Sequence, residues 1–475
     1  MSRISNYFKS RQGSTKMLLW LVAGTFFMQM LDGTVLNTAL PSIARSLGAN
    51  PLKMQSVVIS YMLTVALFIP VSGWLSDFFG TKRVFIAAIS IFTIGSLCCA
   101  LSHTLTQLVL ARVLQGVGGA LMVPVGRLAV IKAVPKAEMV SALSFITIPG
   151  LLGPLLGPFV GGVIVQYLSW HWIFLINLPI GAACAIITNY VMPKVSPLRV
   201  KLDWIGYLLF SAAIVLISLS LLQIEEAGLP TNAAVIMFLA GVLCFALYAQ
   251  FAFLRPWTTL FKPRLFFERS FTVGILANLF LRFGGATVPF LTPLLLQTAL
   301  GYAPLKSGIT MLPLGIMTMV AKAFIEKFLN LLGYRKFMTI NTLIIGGMIV
   351  MFNLIGQDTP YWAVLVFLGI FVFFNSMHFT ALNTLTLICV DARDLSQANS
   401  LLSATMQLSM SVGIALASAA LAYFGAHTQA IGTANLLYSF HSAFIFMGVI
   451  TALGALLFMI PFSKNIAGKP KNIKG

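Results

Sequence analysis

Apolar stretches follow one another along almost the whole chain, separated by short gaps that carry charge or Pro/Gly clusters. Fourteen can be counted, at about 17–40, 52–75, 83–102, 106–131, 140–163, 171–192, 204–222, 233–254, 270–297, 308–326, 336–355, 361–388, 398–424 and 438–461. A helix rising 1.5 Å per residue needs about 20 residues to cross a hydrocarbon core roughly 30 Å thick, and the runs have about that length. None alternates polar and apolar positions as a half-buried strand does. Unpaired backbone amides are too costly in hydrocarbon, so each run is expected to be a helix. The pattern predicts an all-α integral membrane protein with 14 transmembrane helices.

Composition agrees with this reading. Of 475 residues, 59% are hydrophobic and 9% charged, whereas soluble domains carry about a quarter charged. The net charge of +19 would point to nucleic acid in a soluble protein. Here the basic residues sit in the gaps between apolar runs, without a folded basic domain. They read as topology signals and contacts to anionic headgroups of the lipid bilayer, and no nucleic-acid partner is expected. With the N-terminus inside, 23 of the 30 Lys and Arg fall in cytoplasmic segments, among them Lys82, Arg83, Lys132, Lys262, Arg264, Lys327 and Arg335. Only Arg45, Lys53 and Lys306 fall outside, and Arg112, Arg127, Arg282 and Lys322 lie within runs. That bias predicts a multi-pass protein of a bacterial inner membrane with both termini cytoplasmic. The polar, basic first sixteen residues lack the apolar core and cleavage site of a removed signal peptide. Cys98, Cys99, Cys184, Cys244 and Cys389 show no metal-ligand spacing, so neither a metal nor a cofactor is expected.

Two linkers divide the chain. Residues 193–203 and 255–269 are rich in Pro and basic residues and flank a helical hairpin whose turn carries Glu225 and Glu226. The expected domains are an N-terminal six-helix bundle (1–192), linkers with an inserted two-helix hairpin (193–268), and a C-terminal six-helix bundle with a tail (269–475). A weak repeat supports the pairing. Residues 73–83 and 326–336 follow corresponding runs, and both end in Gly-x-basic-basic. Paired halves of this kind build a central site in many transporters.

Four motifs carry candidate chemistry. Asp32, in Leu31-Asp32-Gly33-Thr34-Val35-Leu36-Asn37, is the only acid deep within a run. A carboxylate in hydrocarbon must be protonated, paired or turned to water. It is either a structural group satisfied by Thr34 and Asn37, or a proton carrier that desolvation biases toward its neutral form. Arg112, in Arg112-Val-Leu-Gln115-Gly116-Val-Gly118-Gly119, lies at a depth within about 3 Å of Asp32 at 1.5 Å per residue. A charge pair or a water-bridged pair between them is therefore feasible, either as a permanent lock or one that protonation of Asp32 releases. In Gly150-Leu-Leu-Gly153-Pro154-Leu-Leu-Gly157-Pro158-Phe-Val-Gly161-Gly162, small residues strip one helix face and prolines bend it, as suits a rocking interface. In Gly73-x-Leu75-x-Asp77-x-x-Gly80-x-Lys82-Arg83, Gly80 permits a tight turn. Asp77 can meet the positive end of a helix from the other half. The loop reads as a latch on the inner face.

Together these motifs, spread over a similarity that runs nearly the whole length, resemble the major facilitator superfamily, and within it the fourteen-span drug:proton antiporters. The resemblance implies two six-helix bundles with a two-helix insert. It also implies that Asp32 and Arg112 take part in proton coupling and that the Gly153/Gly157/Gly161 helix marks antiport, hence export. Trp170-His171-Trp172 through Pro179 is similar to a segment of these exporters that often has Arg where His171 stands. Its tryptophans read as interfacial anchors.

In the second half, Arg282, Asn375, His378, Thr380 and Asn383 are polar groups within runs and are expected to face a central cavity or one another. Gln29, Asn37, Gln297 and Gln407 add polarity. With few buried acids, the cavity should suit small hydrophobic or amphipathic compounds. The leading expectation is a proton-coupled antiporter for multidrug efflux, its partners being protons and a small-molecule substrate. A dedicated exporter of a metabolite or siderophore fits the same motifs. No nucleophile or metal-ligand spacing of an enzyme and no phosphate-binding loop of an ATP-driven pump is present in the sequence. Nothing in it speaks for or against a periplasmic adaptor.

Overall fold

The apolar runs fold as helices in the computed structural model, which describes residues 2–134, 138–192, 202–226, 231–255, 259–391, 394–427 and 432–459. Lys136, Lys194, Arg199, Lys201, Arg393 and the basic residues of the C-terminal tail lie outside these, as do the side chains of Glu225 and Glu226. The first half comprises α1 (Ser2–Ser46), α2 (Gln55–Phe68), α3 (Ser72–Phe79), α4 (Thr81–Ala100), α5 (Leu105–Ala133), α6 (Met139–Tyr167), α7 (Trp172–Leu175) and α8 (Asn177–Val191). Then come α9 (Trp204–Glu226) and α10 (Thr231–Leu254). The rest is α11 (Arg269–Leu294), α12 (Pro304–Thr310), α13 (Leu312–Met351), α14 (Tyr361–Leu387), α15 (Leu395–Ala426) and α16 (Thr433–Leu453).

Eleven helical segments among the described residues are long and apolar enough to cross a membrane, so the chain is a multi-pass α-helical membrane protein. One of them, Pro304–Leu354, has 51 residues, more than twice what one crossing needs. Its helix α13 breaks at Gly333, where φ is +71°. Gly80, between α3 and α4, has φ +88°. Both positions of the Gly-x-basic-basic repeat therefore use the left-handed backbone that glycine alone adopts without strain. The equivalence glimpsed in the sequence is one of conformation too. Leu152–Tyr167 and Trp204–Ser220 are shorter apolar helices.

Packing follows the small residues. In the first half, α1 lies along α6, and α5 lies against α2 and α4. Gly95 and Gly118 let the α4 and α5 backbones touch. In the second half, α13 packs on α14 and α16, and α11 on α15. The halves meet where α6 abuts α12 and α13 and where α2 abuts α15. At the end of α1 distal to the N-terminus, Gln297 donates to the Thr38 carbonyl at 2.8 Å. Helices α9 and α10 pair, and α9 also leans on α2 and α15. Ile236, Leu239, Leu243 and Phe245 on α10 are left exposed by the described residues, as side chains that face lipid are. Some buried hydroxyls are satisfied locally: Thr188, Thr386 and Thr451 each donate to the carbonyl four residues back, as backbone-bonding hydroxyls do in membrane helices.

Candidate functional site

Four helices of the first half converge on Asp32. Arg112 Nη1 donates to its Oδ2 at 2.7 Å and to Gln115 Oε1 at 2.6 Å. Gln115 Nε2 and Asn177 Nδ2 each donate to Asp32 Oδ1 at 2.9 Å, and both also reach Ser96 Oγ. Arg112 Nε meets the Val57 carbonyl at 3.4 Å, and its guanidinium lies 4.2 Å from the centre of the Tyr61 ring. Asp32 is 2% exposed and Arg112 1%. The carboxylate thus has one cation and two amides, all removed from water, where charge-assisted bonds are at their strongest. As a unit the pair is neutral. A proton arriving on Asp32 would leave a lone buried cation, the unstable condition from which a change of state can be driven.

The Asp32–Arg112 pair is present, and Thr34 and Asn37 are not what satisfies the carboxylate. Thr34 donates to the carbonyls of Met30, Leu31 and Gly153, while Asn37 Oδ1 is buried without a partner. Neither satisfies Asp32. The sequence reading missed Ser96, Tyr61 and the role of Asn177. A serine within the apolar run of α4 was the available signal for Ser96. Asn177 sits in the segment read only as an interfacial anchor. Trp172 is half exposed as an anchor should be, but Trp170 is buried at 5% exposure and packs edge-on to Phe174.

The glycine-rich helix α6 explains how Asp32 is held. Gly153, Gly157 and Gly161 lie on one face, against residues 30–35 of α1. A Cβ on Gly153 would stand 2.6 Å from Met30 Cβ and 2.7 Å from the Leu31 amide nitrogen. One on Gly157 would strike Thr34, and one on Gly161 the Val35 carbonyl. The neighbouring face meets the other half. A Cβ on Gly162 would stand 2.7 Å from the Pro304 carbonyl oxygen, one on Gly308 would strike the Pro158 carbonyl, and one on Gly315 would strike Leu155. Pro149, Pro154 and Pro158 all lie within the helix. Gly150 is different, since its Cβ would meet nothing closer than 3.8 Å. Gly153→Ala is therefore expected to cost about 1–3 kcal/mol through overpacking against backbone that cannot move aside, and Gly150→Ala to be neutral. Thermal unfolding of the two detergent-solubilised variants checks this; equal melting temperatures would contradict the account.

At the α3–α4 turn, Lys132 lies 3.6 Å from Asp77 and 3.2 Å from Thr81 Oγ1, tying α5 to the turn. Lys82 donates to the Asn189 carbonyl near the end of α8. Arg83 is exposed. Gly73 is also exposed, with nothing near its Cβ position. Gly116 and Gly119 approach Thr64 and Tyr61 of α2. Gln29 is buried beside Tyr61.

In the second half, Arg282, Asn375 and His378 come together around a cavity of about 210 Å³, walled also by Phe379, Leu382 and Met410. Arg282 Nε donates to Asn278 Oδ1 at 2.9 Å and Nη2 to Asn383 Oδ1 at 3.2 Å, with the guanidinium 4.0 Å from the Phe379 ring centre. Gln297, also offered as cavity polarity, instead bridges the halves. Among the described residues, no group of three or more His, Cys, Asp and Glu is placed to hold a metal.

This architecture has close counterparts. The family model of the Major Facilitator Superfamily matches residues 22–413. The MdtD protein of Serratia proteamaculans, provisionally named a multidrug resistance protein, is 44% identical over 449 residues, covering 94% of this chain and 93% of its own. Its namesake in Citrobacter koseri is 43% identical over 445 residues, covering 94% of each. Among solved structures, a variant of the nucleoside transporter NupG superposes with a TM-score of 0.67 at 14% identity, over 93% of this chain and 99% of that one. A D-xylose–proton symporter gives 0.67 at 14%, over 95% and 99%. At such identities these two speak for the fold alone. With a family model matching most of its length and relatives alike from end to end, the chain belongs to the major facilitator superfamily.

Proposed function

We propose that the protein is a proton-coupled antiporter that exports small hydrophobic or amphipathic compounds by alternating access. The observation that carries this is the buried Asp32–Arg112 pair at 2.7 Å, enclosed by Gln115, Asn177 and Ser96, with Asp32 on α1, the helix that packs along α6. Protonating Asp32 dissolves the pair's neutrality, and α1 then has less to hold it to α5. Through the backbone contacts of α6 with α12 and α13, that loosening reaches the seam between the halves. The name of the MdtD relatives supports drugs as cargo. A dedicated exporter of one metabolite or siderophore is the second reading of the same motifs.

Six spans, a two-helix insert and six spans is the architecture we propose. It is supported if the 51-residue segment counts as two crossings around Gly333 and the helices 152–167 and 204–220 as one each. That gives bundles at 1–192 and 269–475 around an insert at 193–268. The 23-to-3 bias of basic residues supports cytoplasmic termini in an inner membrane. A reporter fused after Lys327 is expected to read as cytoplasmic; a periplasmic reading would invert or break the scheme.

The functional test is proton flux in proteoliposomes under an imposed pH gradient. Adding a substrate on the side it leaves from should raise proton movement in the opposite direction. Substrate movement with no proton response would remove antiport.

A further inference from the structure

Among the described residues two arginines are buried, one in each half, and they are unequal. Arg112 has Asp32 as its counterion. Arg282 is 9% exposed, and among the described residues no carboxylate lies within 4 Å of it. Its guanidinium has five N–H bonds. Two are used, on the neutral oxygens of Asn278 and Asn383, and the rest find no acceptor among the described residues. Beside it His378 is 6% exposed, and among the described residues neither ring nitrogen has a hydrogen-bond partner. Both side chains open on the same cavity as Asn375. A guanidinium kept in a membrane helix without a counterion is costly, and such a group marks a place where the missing charge arrives from elsewhere.

We infer that Arg282, with His378 and Asn375, binds the anionic head of the substrate, and that the preferred cargo is an amphipathic carboxylate with a planar apolar body. The planar fork of Arg282 matches a carboxylate in two-point geometry. Phe379 occupies one face of the guanidinium at 4.0 Å, so the carboxylate approaches along its edge. His378 and Asn375 supply further donors. Leu281, Leu382 and Met410 offer the apolar wall, methionine being able to adapt to varied shapes. This inference rests on the export reading and adds to it a division of labour, in which the first half handles the proton and the second half the cargo.

Equilibrium dialysis of the purified full-length protein against radiolabelled 1-naphthoate, 1-naphthamide and 1-naphthylmethylammonium tests it. These share one ring system and differ in head-group charge. Naphthoate is expected to bind at least about tenfold tighter than either analogue, the value of one charge-assisted bond. Arg282→Met should erase the preference. Arg282→Lys should keep part of it, since the charge remains and the fork is lost. Equal or weaker binding of naphthoate, binding of none of the three at millimolar concentration, or a preference that survives in folded Arg282→Met would each overturn the proposal. The ranking in the native protein decides even if a variant fails to fold. Proton-coupled flux of the amide or the ammonium compound without that of naphthoate would sink the anion preference and leave antiport standing. Tight naphthoate binding with no proton-coupled flux of any compound would do the reverse.

Discussion

Asp32→Asn is expected to reduce substrate-driven proton flux in proteoliposomes to the leak of protein-free vesicles, while the protein remains folded. The amide is nearly isosteric, so Gln115 and Asn177 can still meet its oxygen. What it lacks is a site for a proton. Asp32→Glu keeps that site and displaces it by one methylene within a fully buried shell, so partial flux is expected. Full coupled transport by Asp32→Asn would refute the mechanism even with the fold intact.

Arg112→Met should be the most destabilising single change in the first half. It leaves Asp32 enclosed, with two amides and no cation, and breaking a buried pair from one side costs about 3–5 kcal/mol. Coupled flux should be lost as well. The double variant Asp32→Asn/Arg112→Met separates the two effects, because it removes both charges at once. Its stability should recover most of what Arg112→Met lost, while its proton flux stays at background. Unfolding of the four proteins in detergent gives the interaction energy directly as a double-mutant cycle. Additive losses would show that the two side chains do not act as a pair.

The helices were readable because hydrocarbon tolerates so little else, but their boundaries were not: the runs at about 308–326 and 336–355 lie in one helical segment of 51 residues. Asp32 and Arg112 were readable for the same reason, as charges conspicuous among apolar neighbours, and helical rise alone put them at one depth. Their shell was not. Serine and asparagine in a membrane helix commonly bond to their own backbone, as Ser76 does to the Ser72 carbonyl and Asn278 to the Gly274 carbonyl, so nothing in the chain distinguishes Ser96 or Asn177 from such residues. The faces of α6 were also hidden. Glycine spacing announces close packing, but only the three-dimensional arrangement tells that Gly153, Gly157 and Gly161 meet α1 while Gly162 meets the other half. Gly73, singled out by its motif, makes no close contact. The grouping of Arg282 with His378 and Asn375 was anticipated only as polar positions that would find a cavity or each other.

The seating of Arg112 bears on what moves. Its guanidinium is moored to α2 by the Tyr61 ring and the Val57 carbonyl, and to its own helix by Gln115. If its counterion were neutralised, those moorings would remain in place, and α1 is the partner that would lose its charged tie to α5. That helix cannot slide alone, because three glycines of α6 grip it at backbone distance. Under the proposed mechanism, the body that a proton would set loose is a two-helix raft, with the aspartate on one plank and the interface to the opposite half on the other.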